Sequence, residues 1–173
     1  MTALAWLAAG CSGPQEPPAI AAQELPADQI MTDVGHAVTN DGVRSALGLF
    51  DTVYLHQDSS IMRIRGVNLE MFNSMGSLTA KLTSDAGELN QSTDAMVARE
   101  NVRLVLEVDS SVIETEELHF DPSTHRVWST VETTRRLDDC VLTADGFTSD
   151  DQFQKIEYNR QRGCVPGFEV GEF

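Results

Sequence analysis

From Asp41 onward, apolar and polar residues alternate in stretches rich in Val, Ile, Thr and Leu, and clusters of Asn, Asp, Ser and Gly break them at short intervals. A period of two sends successive side chains to opposite faces, so each stretch reads as a strand with one apolar face. Leu78, Ala80 and Leu82 alternate with Thr79, Lys81 and Thr83; Val102, Leu104 and Leu106 alternate with Arg103, Val105 and Glu107. The pattern predicts an all-β chain of many antiparallel strands.

A repeat underlies the alternation. The triplets Leu78-Thr79-Ala80, Ile113-Glu114-Thr115 and Leu142-Thr143-Ala144 each lead to a turn headed by Asn90, Asp121 or Asp150. Met96, Val127 and Ile156 stand six residues beyond those heads, and Thr93, Thr124 and Phe153 occupy the third position after them. An Asn or Asp heading a turn bonds the backbone two residues on, and Pro122 presets the φ that the next position needs. Each copy reads as a strand, a tight turn and a returning strand, with a period of about 30 residues, the regime of stacked β architectures. The first copy is four residues longer between triplet and turn, and a weaker fourth ends near Met62. The repeat alone fits both an open β-jelly roll and a β-solenoid.

The segment from Ile61 to Phe72 poses a problem of parity. Under strict alternation Arg63 and Arg65 share a face with Val67, Leu69 and Met71, which would place two charges in an apolar interior. A bulge at Gly66 resets the phase, turns both arginines outward and brings Met62 and Ile64 in, and is the favoured reading. On the other reading the two arginines sit at the mouth of an apolar groove, where they would pair with phosphate.

At 173 residues the chain has room for one domain with a real core, because a domain of about 150 residues buries roughly 70% of its unfolded surface. The net charge of −15, from 27 acidic and 12 basic residues, offers no basic stripe and excludes nucleic acid as a partner. It also disfavours broad contact with an anionic lipid surface, so contact with a membrane lipid is expected through acyl chains.

Residues 1–10 form an apolar run ended by small residues, and Ala8, Ala9, Gly10 and Cys11 fit a bacterial lipobox in which the Cys11 thiol receives the lipid, although no Lys or Arg precedes it. Residues 12–29 hold four of the six prolines, Pro14, Pro17, Pro18 and Pro26, and read as a tether. Cys140 and Cys164 either bridge and pin the tail or remain separate thiols. A zinc site is not expected, because His119 and His125 flank a Pro-containing turn and no CxxC or HExxH spacing occurs.

The stretch from about residue 27 to 163 resembles the LptC family, the periplasmic component of the lipopolysaccharide-export ABC transporter, in its lipoprotein-like form. The residues carrying this are Thr52-Val53-Tyr54 after an Asp, Gly66-Val67 before an alternating strand, residues 76–80 (GSLTA), Asn101-Val102, residues 113–121 (IETEELHFD) and residues 144–150 (ADGFTSD). Each motif is short, and the weight lies in their order and spacing. The chain departs from the family in three places: Cys11 would replace the N-terminal transmembrane helix of many members, Glu100 stands where Gly usually precedes the Asn-Val pair, and the tail after Asn159 carries Cys164.

The resemblance implies an open, elongated antiparallel β-jelly roll over residues 30–160, followed by a tail over residues 161–173. It implies a groove that shields the acyl chains of lipopolysaccharide, lined by Val67, Leu69, Met71, Leu78, Ala80, Leu82, Met96, Val102, Leu104, Leu106, Ile113, Leu118, Phe120, Val127, Leu142 and Phe147. Arg63 and Arg65 would be the contacts for lipid A phosphate if they faced that groove. Lipid would arrive at the N-terminal end from the membrane subunits of the transporter, and leave to a periplasmic LptA-like bridge protein at a C-terminal edge around Phe153, Ile156 and Tyr158. The expected location is the periplasm, anchored to the inner membrane. Met62, Met71, Met75 and Met96 fall among the strands, and flexible thioethers suit a lining that adapts to sliding cargo.

No nucleophile with a base, no phosphate-cradling Gly loop and no metal spacing is found, so neither catalysis nor a cofactor is expected. His36, His56, His119 and His125 read as solvent-exposed, and Asp138-Asp139 and Asp150-Asp151 as solvated turns with at most weak calcium binding. The competing expectation is a structural or adhesive β-repeat lipoprotein with a dry core and no lipid cargo.

Overall fold

The computed structural model describes residues 27–164; Cys11, nearly all of the Pro-rich tether and the end of the tail lie outside the described residues. The described chain is all-β, an open elongated antiparallel β-jelly roll. Its strands are β1 (Gln29–Asn40), β2 (Val43–Leu55), β3 (Ile61–Phe72), β4 (Leu78–Asn90), β5 (Met96–Leu106), β6 (Val112–Asp121), β7 (Arg126–Ser129), β8 (Thr133–Leu137), β9 (Cys140–Ala144), β10 (Phe147–Asp150), β11 (Ile156–Tyr158) and β12 (Arg162–Gly163).

The first six strands pair in chain order as a meander. Beyond β6 each pass across the sheet is split in two. β7 and β8 both pair with β6, β10 and β9 pair with those two in turn, and β11 and β12 complete the last pass on β10 and β9. The twelve strands are therefore nine passes, six continuous and three broken at the same place.

That place is a crease crossing the sheet, where strict alternation is interrupted: most passes step three residues between inward positions, while β5 (Ala98 to Val102) and the β7–β8 pass (Ser129 to Thr133) step four. In β2 the buried positions run Ala46, Gly48, Phe50 and then Val53; in β3 they run Ile64 and then Val67, Leu69, Met71. The same three-residue step separates Ser84 from Gly87, Thr115 from Leu118 and Ala144 from Phe147. Left-handed backbone interrupts the alternation at Asp33 on β1, Gly66 on β3, and Glu100 and Asn101 on β5, where the register shifts on both sides. Buried hydroxyls cap carbonyls freed there: Ser84 Oγ donates to the Ala86 carbonyl at 2.8 Å, and Thr115 Oγ1 to the Glu132 carbonyl at 2.9 Å.

The crease also puts the repeat in register. Counted from the last inward residue before it (Phe50, Ser84, Thr115 or Ala144), the turn head follows six residues later at His56, Asn90, Asp121 or Asp150, and the returning strand six beyond at Met62, Met96, Val127 or Ile156. The four-residue discrepancy of the first copy vanishes, because its crease lies at Ser84 and not at Ala80. The turn chemistry is as expected: Asn90, Asp121 and Asp150 each accept, through Oδ1, the backbone N–H two residues on.

Folding at the crease makes two walls that face one another. The first wall holds the parts of β1 to β6 nearest the β1–β2 turn, with β8, β9 and β12; the second holds their other halves, with β7, β10 and β11. Both walls send their inward side chains into one apolar cluster. Their rims are tied by His36 Nε2 to Asp94 Oδ1 at 3.1 Å, by Thr79 Oγ1 donating to the Asp151 carbonyl at 3.2 Å, and by Arg135 donating to the Tyr158 hydroxyl at 3.3 Å.

Arg63 and Arg65 turn outward, and Ile64 is buried. The mechanism differs from an inserted residue: Thr52 pairs with Arg65 and Phe50 with Val67, and Arg65 with Ala86 and Val67 with Ser84, so the register is unbroken across Gly66 in both ladders. Gly66 achieves the change by its φ of +63° alone, and a Cβ there would run into the Asp51 side chain. Gly66→Ala is predicted to cost about 1–3 kcal/mol in denaturant unfolding, from left-handed strain plus that clash. Glu100→Gly is predicted to gain up to about 1 kcal/mol, because it relieves a side chain held at φ +63° and removes only an exposed pair with Arg65.

Candidate functional site

Fifteen of the sixteen residues expected to line a groove are at most 4% exposed, and Leu78 is half-buried. Fourteen of the fifteen belong to one contiguous cluster, while Leu142 is buried outside it. The alternation placed these side chains correctly, since each lies on the inward phase of its half-strand.

The interior is filled by its own side chains. Val38, Ala46, Phe50, Leu69, Leu89, Met96 and Phe120, drawn from both walls, enclose only about 10 Å³ of free space. That is near the smallest volume that holds one water, so hydrocarbon enters only if side chains or a strand move aside. Strand β1 is the least anchored of the long strands. None of its residues is fully buried, among the described residues it pairs with β2 alone, and Met31, Val34 and Val38 only partly cover the core. The His36–Asp94 contact ties its inner side to the β4–β5 turn.

The opposite end is closed by a polar tie that alternation along a single strand did not reveal. Arg135 on β8 points inward with its side chain 12% exposed. It donates to Asp109 and to Ser111 Oγ on the β5–β6 loop of the first wall, and to Tyr158 on β11 of the second. Burial opposes ionisation of Asp109, but the Ser111 hydroxyl and N–H and the Arg135 guanidinium outweigh it and hold this carboxyl below its ordinary value. Burial pushes the Tyr158 phenol up. The signal was cross-strand register: Thr133 opposes Ala144 and Arg135 opposes Leu142, which puts Arg135 on the inward face.

Several expectations are corrected. Arg63 and Arg65 lie on the outer face, as the favoured reading has them, and Arg65 pairs with Glu100 at 3.1 Å, so it is the alternative reading, phosphate contact at a groove mouth, that falls. Phe153 is 3% exposed, folded into the core by its own left-handed turn, and is not part of an open partner edge. Ile156 and Tyr158 are half-buried against the core, and Glu157 is the outward residue of β11. Met71 and Met96 are inside and Met62 partly so, but Met75 is 83% exposed on the β3–β4 loop. Cys140 and Cys164 form a disulfide with Cα atoms 5.6 Å apart, which pins β12 onto the edge of β9. In the chain-entropy account a loop of this length contributes about 3–4 kcal/mol.

The histidines are more engaged than solvent exposure implies. His36 pairs with Asp94, and His125 Nδ1 lies 2.7 Å from Asp151 Oδ2. His119 lies 2.7 Å from Glu117 Oε1 and stacks on Trp128 at 4.9 Å between centroids. Burial, and then the charge of Arg99, push the His119 pKa below 6.5. His56 Nδ1 stands 4.0 Å from Asp28.

No model of a known protein family matches this chain, and no curated protein matches it.

Asp109→Ala leaves the Arg135 guanidinium buried without its counter-charge and is predicted to cost about 3–5 kcal/mol, read as a fall in denaturation midpoint. For His119 the unfolded chain binds its proton more readily than the folded one. Stability is therefore predicted to fall as pH drops below 6.5 toward the folded value, and His119→Gln is predicted to flatten that slope in unfolding titrations.

Proposed function

We propose that this protein carries the acyl chains of lipopolysaccharide between its two walls, as a non-enzymatic periplasmic bridge anchored to the inner membrane through Cys11. It would accept lipid from the membrane subunits of an ABC transporter and hand it to a periplasmic partner of the same fold. The observation that carries this reading is the single apolar interior shared by two facing walls along nine passes of sheet. A methylene moved from water into such surroundings gains about 0.8 kcal/mol, so a continuous apolar lining lowers the cost of moving a chain without any catalyst. Among the described residues the outer edge of β1 has no strand partner, which supports docking at the N-terminal end, since an unpaired strand invites strand addition by a like fold. The short β11 is the corresponding edge of the second wall at the other end.

A second reading, a structural or adhesive β-repeat lipoprotein with no cargo, is favoured by one observation: the gap between the walls lined by Val38, Phe50, Leu69, Leu89, Met96 and Phe120 holds only about 10 Å³ of free space. The two readings separate by photo-crosslinking. A photoreactive residue at Leu69 or Leu104, both inward, is predicted to attach to lipopolysaccharide, and one at the exposed Glu107 is not. Equal labelling at all three sites, or none at the inward pair, leaves the dry structural reading.

A further inference from the structure

A cavity of about 690 Å³ lies between the rims of the walls. That is the usual size of a small-ligand site. One side is the β1–β2 turn and β3–β4 loop of the first wall; the other is the β6–β7 turn and β10–β11 loop of the second. Its lining is dominated by amides, hydroxyls and one guanidinium, and it adjoins the apolar interior on both walls. On the first wall, Val38 and Ala46 of the interior are the chain neighbours of Thr39 and Ser45 of the cleft. On the second, interior Phe120 stands two residues before Pro122 of the cleft. Polarity thus changes abruptly from hydrocarbon to hydrogen-bonding groups along the same rim.

Several polar groups here are free for a ligand. Among the described residues Arg44 has no carboxylate at ion-pair distance, and its guanidinium lies 6.0 Å from the centroid of the Phe72 ring. Asn73 Oδ1 accepts from the backbone N–H of Met75 and Ser77, which leaves its amide N–H groups unspent. Asp151 is already engaged by His125. Asp41 offsets the charge of Arg44, so the cleft is not an anion trap. Mixed donors and acceptors around near-neutral charge, beside one aromatic ring, complement a group rich in hydroxyls.

We propose that this rim cleft holds the sugar headgroup of a glycolipid whose acyl chains occupy the interior. The proposal rests on the lipid-carrying reading above and adds to it the element that distinguishes a glycolipid from any other amphiphile.

The test compares dodecyl maltoside below its micellar concentration with laurate, which has a similar tail and no sugar, by NMR titration of the full chain. Dodecyl maltoside is predicted to bind about tenfold more tightly than laurate and to shift the side-chain amides of Asn40, Asn73 and Gln152. Arg44→Ala, and Asn73→Asp, which keeps the oxygen that caps the turn, are predicted to weaken the maltoside about five- to tenfold and leave laurate unchanged. Equal binding of the two ligands with no change in either variant overturns the headgroup site while leaving the interior as a chain carrier. Binding of neither ligand overturns the lipid-carrying reading itself, and the headgroup site with it.

Discussion

A single sheet that buries both of its halves against each other interrupts its alternation along one line: the step between inward residues there is three on β2, β3, β4 and β6, and four on β5 (Ala98 to Val102) and across β7 and β8 (Ser129 to Thr133). That constraint governs the molecule. One strand keeping strict alternation through the crease would send a row of charges into the core, as Arg63 and Arg65 would on β3. The chain meets it with different local means: a left-handed glycine at Gly66, two consecutive left-handed residues at Glu100 and Asn101, and outright breaks between β7 and β8 and between β9 and β10. The hydroxyls of Ser84, Thr115, Ser129 and Thr133 are buried on this line because carbonyls there have lost their ladder partners.

The ends of the sheet differ in kind. At the C-terminal end, Arg135, Asp109 and Tyr158 tie the walls, Phe153 is buried in the core, and the disulfide holds β12 on β9. At the N-terminal end, β1 offers only partly buried side chains and one rim contact between His36 and Asp94. Motion large enough to admit a hydrocarbon chain is therefore cheapest at β1. The asymmetry gives the proposed transport a direction for loading, and it makes the C-terminal tie the step that release has to pass.

The strands, the wall-facing residues and the turn heads were legible because period-two alternation and Asx-turn chemistry are local. The crease was legible only where it coincided with glycine, at Gly66. At Glu100 a left-handed position carries a residue that conceals it, although its place before Asn101-Val102, where the resembled family uses Gly, was a pointer. Arg135 escaped notice for a different reason: its inward face follows from cross-strand register with Leu142, which no single strand reveals. Phe153 looked like an edge residue because it heads no strand, and only the turn after Asp150 folds it inward.

Because the interior is full, cargo between the walls requires the walls to part, and the distance across the rim reports this most directly. Spin labels on the exposed Ala37 of β1 and Ser92 of the β4–β5 turn span that rim. The account predicts that lipopolysaccharide lengthens the label separation by several ångströms in a saturable manner. An unchanged distance at saturating lipid would contradict it, since no hydrocarbon fits between walls that stay where they are.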